Sequence, residues 1–168
     1  MLAWALAGLG LVVLVMRRRS IAVGVVTAQS LVLVAVAALA AFAADGTNEW
    51  LAVAALATRT VGPLVRRNPA ELVPVMRAWA TGDDLWLRRT AIIHQVGAKA
   101  AIDRALLSAC IEPSLSRKEF FLRKAIGWAL RDLAWHDPDW VVAYVRSHAG
   151  ELSGLSRREA LKNVVTGE

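Results

Sequence analysis

The sequence contains a single cysteine, Cys110, so it can form neither an internal disulfide bond nor a cysteine-based metal site. Its three histidines, His94, His136 and His148, are far apart and lack the close spacing of metal ligands. We therefore expect no metal ion and no other cofactor. The alternation of polar and apolar residues that marks β-strands is also absent, which favours an all-α chain.

Charge is scarce in the first part of the chain. Before Trp50 the charged residues are Arg17, Arg18, Arg19, Asp45 and Glu49. Residues 21–44 form an uncharged run of 24 residues, and about 20 apolar residues suffice for a helix to cross a bilayer. Residues 1–16 are apolar as well, but shorter. We predict a transmembrane helical hairpin over residues 1–46, of which residues 1–44 lie in the membrane. We predict a second domain over residues 47–168.

Other interpretations of the apolar segment remain open. A signal peptide has its positive charges before the apolar run, whereas here they follow the first run. A signal that begins internally at "MRRRS" and a buried helical hairpin are the alternatives.

The positive-inside rule places Arg17–Arg19 in the cytoplasm. Two crossings alone would then place the C-terminal domain outside, whereas a third, weaker segment at 50–65 would return it to the cytoplasm, and the sequence leaves both open. We expect membrane association with the C-terminal domain in the cytoplasm.

From Asn68 onward the signals are those of consecutive short helices. Two N-cap residues precede a proline, and two Ser-x-x-Glu sequences fit capping boxes: Asn68-Pro69, Asp137-Pro138, Ser116–Glu119 and Ser156–Glu159. We predict helices near residues 50–66, 69–80, 84–97, 101–111, 117–135, 138–148 and 156–164. Short connections between them favour a HEAT-like or armadillo-like α-helical repeat stack.

The predicted helix 117–135 has two distinct faces. Five residues with aromatic or basic side chains fall within an arc of about 80° opposite its apolar stripe: Phe120, Lys124, Trp128, Arg131 and Trp135. A second layer of helices could cover the tryptophans while the cations extend to water. Alternatively, this face forms a concave surface where cations meet phosphates and aromatic rings meet a sugar or base.

Arg89 lies within the apolar stripe of its own helix, where arginine is rarely found unless it is paired. One account is a structural ion pair with Asp83 or Asp84, and the other is a head group that reaches a phosphate-binding groove. The formal net charge of +6 and a pI near 10.4 suit a polyanionic partner, either nucleic acid or anionic lipid.

Three segments, "GDDLWLRRTAIIHQ", "SRKEFFLRKAIGWALRDLAWHDPDWV" and "LSGLSRREALKNV", resemble the C-terminal half of the AlkD-like DNA alkylation repair family. The resemblance covers residues 57–165. It implies an N-terminally truncated HEAT-like all-α domain, a monomer that binds double-stranded DNA. The implied activity is that of a DNA glycosylase that removes N3- and N7-alkylated purines by hydrolysis of the N-glycosidic bond.

The resemblance also implies residue roles. Trp128 matches the cleft tryptophan that packs against the deoxyribose of the lesion, and Arg89 matches a phosphate-contacting arginine. Lys124 and Arg131, on the same face as Trp128, are the other predicted DNA-binding residues. Trp50 falls on a second catalytic tryptophan.

One catalytic position departs from the family pattern. The family has an aspartate four residues after this second tryptophan, which positions the attacking water, and here that position is Ala54. Leu51 replaces another acid, and neither Asp45 nor Glu49 is in register. The resemblance therefore implies an impaired enzyme.

The segment "GLVVLVMRRRSIAVGVVTAQSLVLVAVAALAAF" resembles the small membrane subunits of the hydrogenase component E type. Three functions follow as alternatives. The chain is an impaired alkylpurine DNA glycosylase, a DNA-binding module without catalysis, or a membrane-subunit fragment joined to a passenger repair-domain fragment. Such a join could be biological or an artefact of the gene model.

Overall fold

The computed structural model describes residues 49–164, with the side chains of residues 49 and 50 outside that description. The chain over this range is all-α and contains no β-strand. Its helices are α1 (Glu49–Leu56), a π-helical segment (Ala57–Val61), α2 (Gly62–Arg67), α3 (Pro69–Thr81), α4 (Leu85–Ile93), α5 (Arg104–Ile111), α6 (Phe120–Ala134), α7 (Pro138–Ser147) and α8 (Gly154–Ala160).

The order of these helices agrees with the seven predicted from the sequence. The first predicted helix corresponds to α1, the π-helical segment and α2 together. Differences occur at helix ends, where for example α4 stops at Ile93 and α5 begins at Arg104. Residues 94–97, predicted as helix, form turns instead, and a short 3-10 turn at Lys99–Ala101 precedes α5.

One of the two predicted N-caps forms a side-chain hydrogen bond, and neither predicted capping box forms. Asp137 accepts a hydrogen bond from the Trp140 backbone N–H. Asn68 occupies the N-cap of α3 but makes no capping hydrogen bond. The box at Ser116 is wrong, because Glu119 itself is the N-cap residue of α6 and pairs with Arg117.

The second capping box is also wrong. The helix α8 begins earlier than predicted, and its N-cap is Ser153, which accepts from the Ser156 backbone N–H. Ser156 therefore lies inside the helix, where its hydroxyl donates to the carbonyl oxygen of Arg123 on α6. Glu159 is thereby left free of a capping role.

The hydrophobic core is built around α6. One side of this helix contributes Leu122, Ala125, Ile126, Ala129 and Leu133, the apolar stripe that the sequence predicts. Helices α4, α7 and α8 pack against α6, and α3 packs against α4 and α5. The core thus fixes α6 from several sides and leaves its opposite face for other contacts.

The segment from α1 to α2 is part of this protein core. Its residues Ala54, Ala57, Val61 and Val65 recur at helical spacing and are buried, whereas Arg59 is exposed. No helix between residues 49 and 164 is long and apolar enough to cross a membrane. The segment 50–65, which the sequence left open as a third crossing, lies within that range. The predicted hairpin 1–46 and its boundary lie outside the described residues.

Candidate functional site

A groove runs along the face of α6 that is turned away from the core. It has a volume of about 640 Å³ and is hereafter called the α6 groove. Its lining residues come from four helices, namely α1, α4, α6 and α8: Leu51, Arg89, Phe120, Phe121, Lys124, Trp128, Arg131 and Glu159. The predicted residues Arg89, Lys124, Trp128 and Arg131 are thus brought together, although they are up to 42 positions apart in the sequence.

The cations on α6 share one carboxylate. Lys124 Nζ donates to Glu159 Oε1 at 2.9 Å, and Arg131 Nη1 donates to Glu159 Oε2 at 2.6 Å. The hydrogen bond from Lys124 is the main reason that the pKa of Glu159 is lowered, and the nearby positive charges add to it. Glu159 is therefore ionised at neutral pH, and this cluster of two cations and one anion carries a net positive charge.

The groove also presents aromatic surface. Trp128 is half-buried and rests against the core, between Lys124 and Arg131 in the helical order. Phe120 is 58% exposed at the start of α6, and its ring contacts Phe121 edge-on at 5.5 Å. Exposed aromatic rings beside cations form a surface suited to stacking against sugars or bases.

Arg89 forms the floor of the groove, with only 2% of its surface exposed. Its Nη1 donates to the Phe121 carbonyl oxygen at 2.5 Å, and its guanidinium carbon lies 5.7 Å from the centre of the Phe121 ring. Burial lowers the pKa of the guanidinium, yet arginine keeps its charge in proteins. Arg89 thus lines the groove, but it is covered rather than presented to solvent.

The suggested structural pairing of Arg89 with Asp83 or Asp84 does not occur. Asp84 instead caps α4 by accepting from the backbone N–H groups of Trp86 and Leu87, both at 2.8 Å. A positive charge therefore remains under the groove without a carboxylate partner among the described residues.

The helix α1 contributes Leu51 to the groove, whereas Ala54 is 4% exposed and belongs to the core cluster. The side chain of Trp50 lies outside the described residues, so its predicted catalytic position stays a prediction. Among the lining residues whose side chains the structure describes, Glu159 is the one carboxylate. Trp135, on the same face of α6, is 68% exposed and does not line it.

A close approach of α8 to α6 explains how Glu159 reaches the groove. A Cβ atom at Gly127 would lie 2.5 Å from Glu159 Cβ and 3.2 Å from the Ser156 carbonyl oxygen. Only glycine allows this separation of the two helices. Sequence reasoning missed Glu159 because it interpreted the residue as a capping partner; the glycine between Ile126 and Trp128 was the available signal for close helix packing.

The described residues contain no cluster of three or more side chains that could hold a metal ion. The described side chains that line the groove offer cations, aromatic faces and one carboxylate. Together these groups can bind a polyanion that carries sugar rings, and stabilise positive charge that develops near the tryptophan ring.

Comparisons with known proteins indicate similarity to DNA alkylation repair enzymes. A family model described as DNA alkylation repair enzyme matches residues 18–164. The chain is also similar to a solved structure described as a predicted DNA alkylation repair enzyme from Enterococcus faecalis. The TM-score is 0.64 at 28% sequence identity, over 79% of this chain and 60% of the other. No similar sequence was found among curated proteins.

The chain thus spans 60% of the length of that solved structure. The family match includes residues 21–44, which the sequence analysis assigned to a membrane hairpin. The comparisons do not support the resemblance to hydrogenase component E-type subunits. Because the family model covers most of the sequence, the chain belongs to the DNA alkylation repair enzyme family.

Proposed function

We propose that the protein binds double-stranded DNA in the α6 groove of a HEAT-like helical domain and hydrolyses the N-glycosidic bond of N3- or N7-alkylpurines only weakly. The observation that carries this proposal is the α6 groove itself. It joins Trp128 to three basic side chains, Arg89, Lys124 and Arg131, in a member of the DNA alkylation repair enzyme family.

Electrostatics supports the binding step. The side chains of Lys124 and Arg131 are 42% and 27% exposed, so both are accessible to a phosphate. Arg89 lies beneath them and adds positive potential from a covered position. Contacts between basic side chains and DNA phosphates weaken as the salt concentration rises and depend little on the base sequence. Such binding suits a protein that searches duplex DNA for damage.

The reaction needs little acid catalysis. An N3- or N7-alkylated purine already carries a positive charge and leaves the sugar as a neutral base. The protein has to stabilise the sugar cation that remains and place a water molecule for attack at its C1′ atom. The face of Trp128 can stabilise that cation through its π electrons.

Placement of the water is the weak step in this chain. Ala54, the position at which the family has its aspartate, carries no polar side-chain atom and is buried in the core. The Glu159 carboxylate, which lines the groove, is engaged by two cations. That engagement favours a second candidate function, a DNA-binding module of the same fold that does not cleave.

An excision assay on duplex DNA containing 7-methylguanine tests the catalytic part. We expect the unmodified protein to release the base at close to the spontaneous rate. Ala54→Asp restores a carboxylate on α1, and we expect it to raise the rate at least about tenfold, since positioned acid–base groups contribute about 10²–10⁴-fold. Trp128→Ala in the Ala54→Asp background should lower the rate again.

Ala55→Asp provides a matched control, because it adds the same charge at the next, exposed position of the same helix. Equal rates for Ala54→Asp and Ala55→Asp, with both proteins folded, would favour the non-catalytic binding module. Strong excision by the unmodified chain would mean that another residue places the water, with Asp45 and Glu49 the first to test.

A further inference from the structure

We infer that the Glu159 carboxylate occupies the position of a DNA phosphate in the α6 groove, and that duplex DNA must displace it to bind. This inference rests on the proposed function and adds a regulating residue to the same site. The two carboxylate oxygens are held separately, Oε1 by Lys124 Nζ at 2.9 Å and Oε2 by Arg131 Nη1 at 2.6 Å. A phosphodiester presents two unesterified oxygens of the same charge to two donors in the same way.

The two cations that hold Glu159 are also the accessible ones. Lys124 and Arg131 are part-exposed on α6, whereas Arg89 is almost fully covered. A phosphate that enters the groove therefore meets donors that already have an acceptor. The Glu159 carboxylate therefore competes with a DNA phosphate for the same two cationic groups.

The structure allows the carboxylate to leave without unpacking α8. The backbone of α8 is fixed against α6 by the close contact at Gly127 and by the Ser156 hydroxyl, which donates to the Arg123 carbonyl oxygen at 2.9 Å. The carboxylate, in contrast, lies at the end of a flexible arm. Lys162, an exposed cation three residues further along the chain, is a second partner toward which Glu159 can turn.

The consequence is a lower DNA affinity than the three basic residues alone would give. Removal of the Glu159 charge frees both donors, so we expect Glu159→Gln to bind duplex DNA on the order of tenfold more tightly, since two charge-assisted hydrogen bonds no longer compete. The gain should be confined to low and moderate salt, where phosphate contacts dominate.

The experiment is a titration of a fluorescent 20-base-pair duplex with the full chain, followed by anisotropy at several salt concentrations. Glu151→Gln is the matched control, because Glu151 is exposed, lies outside the groove and loses the same formal charge. We expect a large gain for Glu159→Gln and a gain of at most about twofold for Glu151→Gln, as expected for a distant screened charge. Circular dichroism confirms that each variant is folded.

Equal gains for the two variants would overturn the inference while leaving DNA binding intact. Absence of duplex binding by every variant at low salt would overturn the proposed function as well as the inference. Should Glu159→Gln not fold, Glu159→Asp serves in its place, because it withdraws the carboxylate by one methylene from both cations. An unchanged affinity for a folded Glu159→Asp protein would likewise contradict displacement.

Discussion

Arg88 and Arg89 are neighbours on α4, but they differ in their hydrogen-bond partners and in their position relative to the α6 groove. Arg88 is buried and donates to the carbonyl oxygens of Thr81, Gly82 and Pro113 and to the Ser114 hydroxyl, so its hydrogen-bonding capacity is largely satisfied within the fold. Arg89 makes one such bond, to Phe121, and faces the α6 groove. The sequence singled out Arg89 through its place in an apolar stripe, but Arg88 gave no comparable signal because its acceptors, three backbone carbonyls and one hydroxyl, lie outside α4.

A buried histidine makes stability depend on pH. His94 is 1% exposed, and its Nδ1–H donates to the Ala91 carbonyl oxygen at 2.7 Å. Burial, with a smaller contribution from Arg66, lowers its pKa to about 4. Below pH 6.5 the unfolded chain therefore binds a proton that the folded chain does not, and the free energy of unfolding falls by about 2 kcal/mol between pH 6.5 and 5.

Urea unfolding at pH 7 and pH 5 measures this effect. We expect His94→Gln to make the free energy of unfolding less dependent on pH between pH 7 and 5. His136→Gln changes an exposed histidine and should leave that pH dependence unchanged. If the unmodified protein, His94→Gln and His136→Gln all lose the same stability between pH 7 and 5, His94 is not the titrating group.

The helix α6 supplies both the core and the groove. Its heptad-like apolar stripe packs inward, and the opposite face carries Phe120, Lys124, Trp128 and Arg131 into the groove. A period of 3.6 residues is a local property, so both faces could be predicted from the sequence. The ion pairs with Glu159 could not, because they join residues 28 and 35 positions apart and depend on how closely α8 approaches.

That approach can be tested at Gly127. A methyl group there would lie 2.5 Å from Glu159 Cβ, so Gly127→Ala has to push α8 outward. Alanine is intrinsically better in a helix by about 1 kcal/mol, but overpacking costs about 1–3 kcal/mol. We expect net destabilisation of the folded protein, seen as a lower melting temperature, together with weaker ion pairs to Glu159.

Gly150→Ala is the comparison, because a Cβ atom at Gly150 meets no other atom within 4 Å. That variant should melt close to the unmodified protein. A Gly127→Ala protein as stable as Gly150→Ala would mean that α8 adjusts freely, and that Glu159 is not held in place by helix packing.

The family match and the net charge of the whole chain both support the proposed partner, duplex DNA. Residues 18–164 match the DNA alkylation repair enzyme family, and the chain has a formal net charge of +6. The helical fold could be predicted from caps, prolines and short connections. The interpretation of the apolar first segment as membrane hairpin relied on hydropathy, which is the same for a transmembrane helix and for a helix buried within a protein.

DNA binding in the α6 groove is measured by the affinity of a duplex containing 7-methylguanine for the double variant Lys124→Gln/Arg131→Gln. The control is Arg157→Gln/Arg158→Gln, which removes the same charge from exposed residues outside the α6 groove. We predict that the groove variant loses more than about tenfold in affinity and shows a salt dependence weaker by about one to two phosphate contacts, while the control loses little. Equal losses for the two double variants would contradict the account.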